Sequence, residues 1–252
     1  MNDMHVHSLC SADSAEPMDT YLPQARALGV EYLCFTDHVD CNPNDMGYGY
    51  YDVEGYFEAL HALDTAGVHV LSGMEFGEPH RYPQAFAKLC ELPYDFVMGS
   101  VHFCDFTPDL FFSGLMMNGV TVQQCYSAYW QQVRMCVEFG GFDVLGHIDI
   151  PKRYYKELVY DPDELRGIFR IMLKNGIIPE INTSSLSRGC DEPMPGRELL
   201  ELYKAEGGLY VTVGSDAHSV DALGAHNAYA QALIRSVGLR EVVFVKREMV
   251  LL

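Results

Sequence analysis

The segment Glu31-Tyr32-Leu33-Cys34-Phe35-Thr36-Asp37-His38 sets the reading of the whole chain. Its centre is apolar without alternation, and it ends in a carboxylate followed by an imidazole. A short continuous apolar run of this kind is a strand buried on both faces, which belongs to a parallel sheet covered by helices. A polar pair at the end of such a strand lies where α/β folds gather functional groups.

The same form recurs outward in both directions. Strand-like runs fall at 2–7, 31–36, 68–74, 94–101, 142–147, 177–182 and 209–214, with a further one at 241–247. Helix-like stretches near 18–28, 53–66, 82–91, 121–139, 161–175, 195–206 and 221–236 separate them. Asp161-Pro162-Asp163-Glu164 is a strong helix start, with a cap residue, proline at the first position and acids in the first turn. Seven strand–helix units, with no glycine-rich dinucleotide turn after the first strand, predict an α/β barrel rather than an open sheet. They also predict one domain over residues 1–252. Two stretches rich in Gly, Tyr, Phe, Asn and Asp, 39–52 and 103–120, are predicted as irregular loops over a site.

A barrel presents its functional groups at the C-terminal ends of its strands. His5 and His7 end the first strand, Asp37 and His38 the second, Glu75 the third, His102 the fourth and His147 the fifth; Asp216 and His218 end the seventh. Six of the ten histidines therefore fall at strand ends. The sixth strand ends in Glu180-Ile181-Asn182, with no imidazole. Strand alternation puts the rings of His5 and His7 on one face, as a pair of metal ligands requires. Any one of these motifs alone is more often structural than functional; their joint register carries the metal reading. Imidazole and carboxylate suit zinc, manganese and iron. The donors exceed what one ion takes, which predicts two or three divalent transition metals. Glu75 would bridge two of them, and a water between the ions would be acidified into a nucleophile. His61, His69 and His226 read as structural, and His80 as a surface residue bordering the site.

Composition narrows the partners. Seventeen basic residues against 35 acidic ones leave a net charge of −18, and no Lys/Arg run exists to attract nucleic acid. A small phosphorylated substrate stays compatible, because clustered cations invert the field inside a site. No run reaches the 18 or more apolar residues of a membrane span. Eight scattered cysteines without a CxxC pair, and no basic leader ahead of His5, predict reduced thiols in a cytoplasmic protein. Cys10 and Cys104, near histidine motifs, read as small buried hydrophobes. The oligomeric state is not legible.

The stretches MHVHSLCSADS, CFTDHVD, MEFGEP, MGSVHF, VLGHIDIPKRY, PEINTSSLSRG and VTVGSDAH, in this order, resemble the PHP (polymerase and histidinol phosphatase) superfamily. The likeness runs from His5 to His218 and is strongest to its histidinol-phosphate phosphatases. It implies a distorted (β/α)7 TIM-like barrel and a trinuclear site of zinc, manganese or iron. By position, His5, His7, Glu75 and Asp216 would hold the first metal, Glu75, His102 and His147 the second, and His38 and His218 the third. Many members carry a third histidine six residues after the HxH motif; here that position is Asp13, itself a possible ligand.

The implied activity is hydrolysis of L-histidinol phosphate, in histidine biosynthesis, by a metal-bound hydroxide attacking phosphorus in line. Arg153 and Arg188 are placed to hold the phosphate, with Lys152 a weaker choice. His218, or His38 with Asp37, would protonate the leaving alkoxide. Glu180, Asp40 and Phe103 would face the histidinol moiety, beneath a cover of Tyr48, Tyr50 and Tyr51. Rival readings are a phosphoesterase for another small ester such as a nucleotide, an amidohydrolase, and a metal-binding regulatory domain. Against the amidohydrolase, no lysine ends a strand and Glu75 takes the bridging place.

Overall fold

The computed structural model describes residues 1–252. Its strands are β1 (Asn2–Val6), β2 (Tyr32–Phe35), β3 (His38–Val39), β4 (His69–Gly77), β5 (Phe96–Ser100), β6 (Val144–Leu145), β7 (Ile178–Asn182), β8 (Tyr210–Gly214), β9 (Arg240–Val245) and β10 (Glu248–Leu251). They form one sheet in the order β1-β2-β4-β5-β6-β7-β8-β9-β10, with β3 continuing the line of β2 alongside β4. Every pairing from β1 to β9 is parallel. Only β10 runs antiparallel, as a hairpin on β9.

The sheet curls until its first strand meets its eighth. Just beyond β8, Asp216 N–H donates to the His5 carbonyl and His7 N–H to the Ala217 carbonyl, both at 2.8 Å. Seven parallel strands thus ring the end of the barrel that carries the histidines. At the opposite end β9 pairs with Tyr210 and Val211 of β8, which makes the barrel a distorted one.

Helices fill the crossovers: α1 (Met18–Leu28), α2 (Val53–His61), α3 (Pro83–Cys90), α4 (Phe112–Met117), α5 (Val122–Phe139), α6 (Pro151–Tyr155), α7 (Pro162–Lys174), α8 (Ser184–Ser187), α9 (Arg197–Ala205) and α10 (Asn227–Val237). None is long and apolar enough to cross a membrane. Helix α7 starts as its sequence demands, with the Asp161 carboxylate accepting from the N–H groups of Asp163 and Glu164. The core has two layers. Phe96 and Met98 of β5 share a cluster with Met4, Cys34, Leu71, Val144 and Ile178, side chains from six different strands that meet only inside a barrel. Val97, between them, packs outward on the helices, as the two-residue period of a strand requires.

All seven predicted ring strands are present, and the departures have local causes. Residues 142–147 shrink to a two-residue β6, because the chain turns at Gly146 into His147. The loop at 103–120 contains α4, and α6 and α8 follow directly on β6 and β7; helices of four to six residues are too short to leave a periodic signature. The stretch 221–236 becomes α-helical only from Asn227, after a 3-10 turn at Val220–Ala222, since Gly224 and His226 adopt positive φ of 65° and 58°. His226 is therefore the cap of α10 rather than a mid-helix residue.

Tyr56 of α2 ties this outer layer to the ring. Its wholly buried hydroxyl donates to the Phe35 carbonyl and accepts from Gly73 N–H, both at 2.8 Å. Tyr56→Phe should cost about 1–3 kcal/mol in urea unfolding, because two buried backbone groups lose their partner. An unchanged midpoint would refute that account of how α2 is fastened.

Candidate metal centre

His5 and His7 leave the end of β1 on the same face, wholly buried, with their Nε2 atoms 2.9 Å apart. They converge on Glu75 of β4, which is also buried completely. Glu75 Oε2 lies 3.2 Å from His5 Nε2, 3.6 Å from His7 Nε2 and 3.1 Å from His38 Nδ1. Its Oε1 lies 3.2 Å from His102 Nε2 and 2.8 Å from His147 Nε2. Parallel register explains the convergence. His38 is paired with Glu75 across β3 and β4, and the remaining rings follow the ends of β1, β5 and β6.

Asp216 forms a second hub. Its Oδ1 is 3.3 Å from His7 Nε2, 3.8 Å from His5 Nε2 and 3.6 Å from His218 Nδ1. Its Oδ2 is taken by Arg153, Ser184 and Asn182. Asp13 stands at the outer edge, with Oδ2 3.0 Å from His218 Nε2 and 3.6 Å from His38 Nε2. The donor atoms fall into three overlapping groups, His5/His7/Glu75, His38/Glu75/His102 and His7/His38/His218. His38 is as close to Glu75 as to the outer group, so the three groups are less separate than the sequence assignment.

The electrostatics suit cations. Burial penalises the charge on Glu75, yet His38, His5 and the other rings hold its carboxyl well below the usual range. Burial likewise opposes charge on Asp216, but Arg153 and His5 keep it ionised. His7 and His147 are held neutral by burial, and His7 also by His218 and His38. Burial works against protons on His5 and His102 too, but it is outweighed: Glu180 and Glu75 raise His5, and Asp40 and Glu75 raise His102. Divalent metals bind this inventory of ionised carboxylate and imidazole by displacing those protons. The buried His38 Nδ1, 3.1 Å from Glu75 Oε2, makes no well-directed hydrogen bond in the protein and is available as a ligand atom. The residues present therefore fit a divalent metal centre.

The centre forms the floor of a cavity of about 390 Å³, the size of a small-molecule site. Phe103, Asp40, Arg153 and Arg188 line it, as do Asp13, His38, Glu75, His102, His147, Asp216 and His218. Four expectations need correction. Glu180 does not face the cavity: it is wholly buried and its carboxylate is occupied by His5 and the His147 backbone. Tyr48, Tyr50 and Tyr51 do not cover it; Asn44, Asp45, Met46 and Gly47 of the same loop do, while Tyr51 turns away to bond Tyr94. Asp37 cannot assist His38, because its buried carboxylate accepts from Ser8 N–H and from the hydroxyls of Ser8 and Ser11. Lys152 is likewise spent on Asp149 and the Pro193 carbonyl, and His80 bonds Gln132. Cys10 and Cys104 lie outside the lining.

Sequence reasoning missed Glu78, Phe111 and Tyr154. Phe111 and Tyr154 line the cavity from loop positions that carry no pattern. Glu78 accepts from the backbone N–H groups of His102 and Phe103, and burial pushes its carboxyl up to about 7. Its signal was available: a second acid three residues after Glu75.

The PHP domain family model matches residues 3–184. The chain is 28% identical to the "Probable histidinol-phosphatase" of Thermotoga maritima over 225 residues, 89% of this chain and 87% of the relative. It is 27% identical to the histidinol-phosphatase of Lactococcus lactis, across 95% of this chain and 92% of that one. The crystal structure of histidinol phosphate phosphatase from Lactococcus lactis, complexed with zinc, L-histidinol and phosphate, superposes with a TM-score of 0.81 at 24% identity, covering 99% and 98% of the two chains. A putative histidinol phosphatase from Listeria monocytogenes superposes with a TM-score of 0.74 at 17% identity, covering 91% of this chain and all of that one. Both likenesses confirm the barrel.

Two outcomes follow from the centre's chemistry. Glu75→Ala should lose at least one equivalent of bound metal by elemental analysis; full loading would contradict its place as the shared donor. Zinc affinity, measured by chelator competition, should rise between about pH 6 and about pH 8. The sign follows from His5 and His102, whose raised pKa values retain protons that the metal must displace. A pH-independent affinity would contradict it.

Proposed function

The chain belongs to the PHP domain family, and from that premise we propose that it hydrolyses L-histidinol phosphate to L-histidinol and phosphate in a metal-dependent reaction. The observation that carries this reading is a buried imidazole–carboxylate centre at the floor of a small cavity with two arginines in its wall. Relatives named for histidinol-phosphatase activity support the choice of ester.

His5, His7, Glu75 and Asp216 would hold one ion, Glu75, His102 and His147 a second, and His38, His218 and Asp13 a third, with zinc, manganese or iron as the metal. Bound divalent ions supply Lewis-acid neutralisation of phosphoryl oxygens and acidification of a coordinated water.

The chain's own residues do the rest. Arg188, exposed at the cavity mouth, offers a free guanidinium to the phosphate oxygens. Arg153 is anchored through Nη2 on Asp216 and Ser184, which leaves its Nε without a partner. A fixed arginine of this kind meets developing charge without having to reorganise. Phe103, Phe111 and Tyr154 present ring faces and edges that suit stacking of an imidazole. Asp40 and Asp45 on the facing loop suit an ammonium group. When only the two inner ions are bound, the rim pair His38 and His218 is free to protonate the leaving alkoxide, and we assign the proton to it. These side chains are 17% and 22% exposed while the inner rings are nearly closed off. Burial opposes the His218 imidazolium, but its hydrogen bond to Asp13 holds its pKa above the usual range.

Assayed with zinc or manganese against a panel of phosphate esters, the protein should release phosphate from L-histidinol phosphate with a kcat/KM at least about tenfold above that for nucleoside monophosphates. A preference for a nucleotide would replace the proposed substrate; inactivity with a fully loaded centre would remove the enzymatic reading. Arg188→Ala should raise KM about 10- to 100-fold, the loss of a charge-assisted contact. Arg153→Ala should also weaken metal retention through Asp216; an effect on KM alone would contradict the double role.

A further inference from the structure

Strand β7 is the one strand of the seven-stranded ring whose end adds no residue to the candidate ligand set, and Glu180 points inward from it. No part of Glu180 is exposed and it does not line the cavity above the centre. A buried carboxylate is costly unless its oxygens are filled. Here both are: Oε1 is 2.7 Å from His5 Nδ1, and Oε2 accepts from the backbone N–H of His147 at 2.9 Å and from Asn182 Nδ2 at 3.3 Å.

We propose that Glu180 is the positioning residue of the metal centre, one carboxylate that fixes the tautomer of His5 and the backbone of His147 together. The inference rests on the metal-centre reading and concerns residues outside the ligand set. An ionised carboxylate only accepts, so it draws the His5 proton onto Nδ1. The lone pair then lies on Nε2, the atom that faces His7 Nε2 at 2.9 Å and Glu75 at 3.2 Å. A ligand imidazole is typically set this way by its other nitrogen.

His147 needs a different hold. Its φ is 25°, a left-handed value that a side chain rarely adopts, and its own Nδ1 has no hydrogen-bond partner. The bond from its N–H to Glu180 is thus what secures the turn that aims its ring at Glu75. Space confirms the design. A Cβ on Gly214 of β8 would run into both Glu180 Oε1 and His5 Cβ, so the glycine opens the path by which Glu180 crosses β8 to reach β1. That path is sealed from substrate.

Glu180→Gln is the direct test. An amide keeps one acceptor, and if its oxygen stays on His147 its NH2 must donate to His5 Nδ1. The His5 proton is then forced onto Nε2, where the metal binds. The variant should melt as a folded protein yet bind zinc about 10- to 100-fold more weakly in chelator competition. Its turnover of L-histidinol phosphate should fall at limiting zinc and recover in excess zinc, with KM little changed. Parental zinc affinity overturns the proposal, and parental affinity with a raised KM would return Glu180 to substrate recognition. Should the variant fail to fold, the zinc-loaded parent decides: long-range 15N spectra must place the His5 proton on Nδ1 and zinc on Nε2, and the reverse assignment overturns it. The zinc readouts need no substrate, so a wrong ester and a wrong role for Glu180 are told apart.

Discussion

A carboxylate stripped of water is unfavourable by several kcal/mol unless opposite charge and hydrogen-bond donors close around it. Glu75 is such a group, and five imidazoles lie within 3.6 Å of its two oxygens. No single helix or strand can supply that shell. It takes strand ends brought to one level around a ring, which is what the parallel register and the β1–β8 closure achieve. The closing hydrogen bonds run through His5, His7, Asp216 and Ala217, so the bonds that complete the barrel also set the ligands. Two of the donors, His147 and Asp216, sit at positive φ, and neighbouring carboxylate or carbonyl groups accept their N–H bonds.

The same centre reconciles an acidic protein with an anionic ester. A net charge of −18 repels phosphate, although salt largely screens that repulsion beyond roughly 8–10 Å. Within the cavity the sign is reversed locally by Arg153, Arg188 and whatever cations the imidazole–carboxylate shell holds. The loop that contributes Asp40, Asn44 and Asp45 adds negative charge on the other side. A substrate with a phosphate at one end and a cationic group at the other matches that division.

The ring and its ligands were legible because both obey strand periodicity. EYLCF followed by Asp37 and His38 declares a buried parallel strand and its end, and the other motifs repeat that form. Asp40, Arg153 and Arg188 also reach the cavity as expected, but the direction of several other polar side chains was misread. Glu180 looked like a pocket carboxylate because it closes a strand, but position two residues before the end sends it inward beneath His5. Asp37 looked like a partner for His38 because it precedes it, and alternation sends it to Ser8 and Ser11 instead. The tyrosines of the 39–52 loop carried the compositional signal, while Asn44 to Gly47, which carried none, meet the cavity. Loop conformation depends on tertiary contacts that no local period encodes.

We propose that Glu75 is shared by more than one ion and that the shared centre performs phosphoester hydrolysis. Titrating the metal-free protein with zinc or manganese, while following both bound metal and phosphate release from L-histidinol phosphate, tests it most directly. Activity should saturate only when two or three equivalents are bound per chain. Full activity at a single equivalent would contradict it.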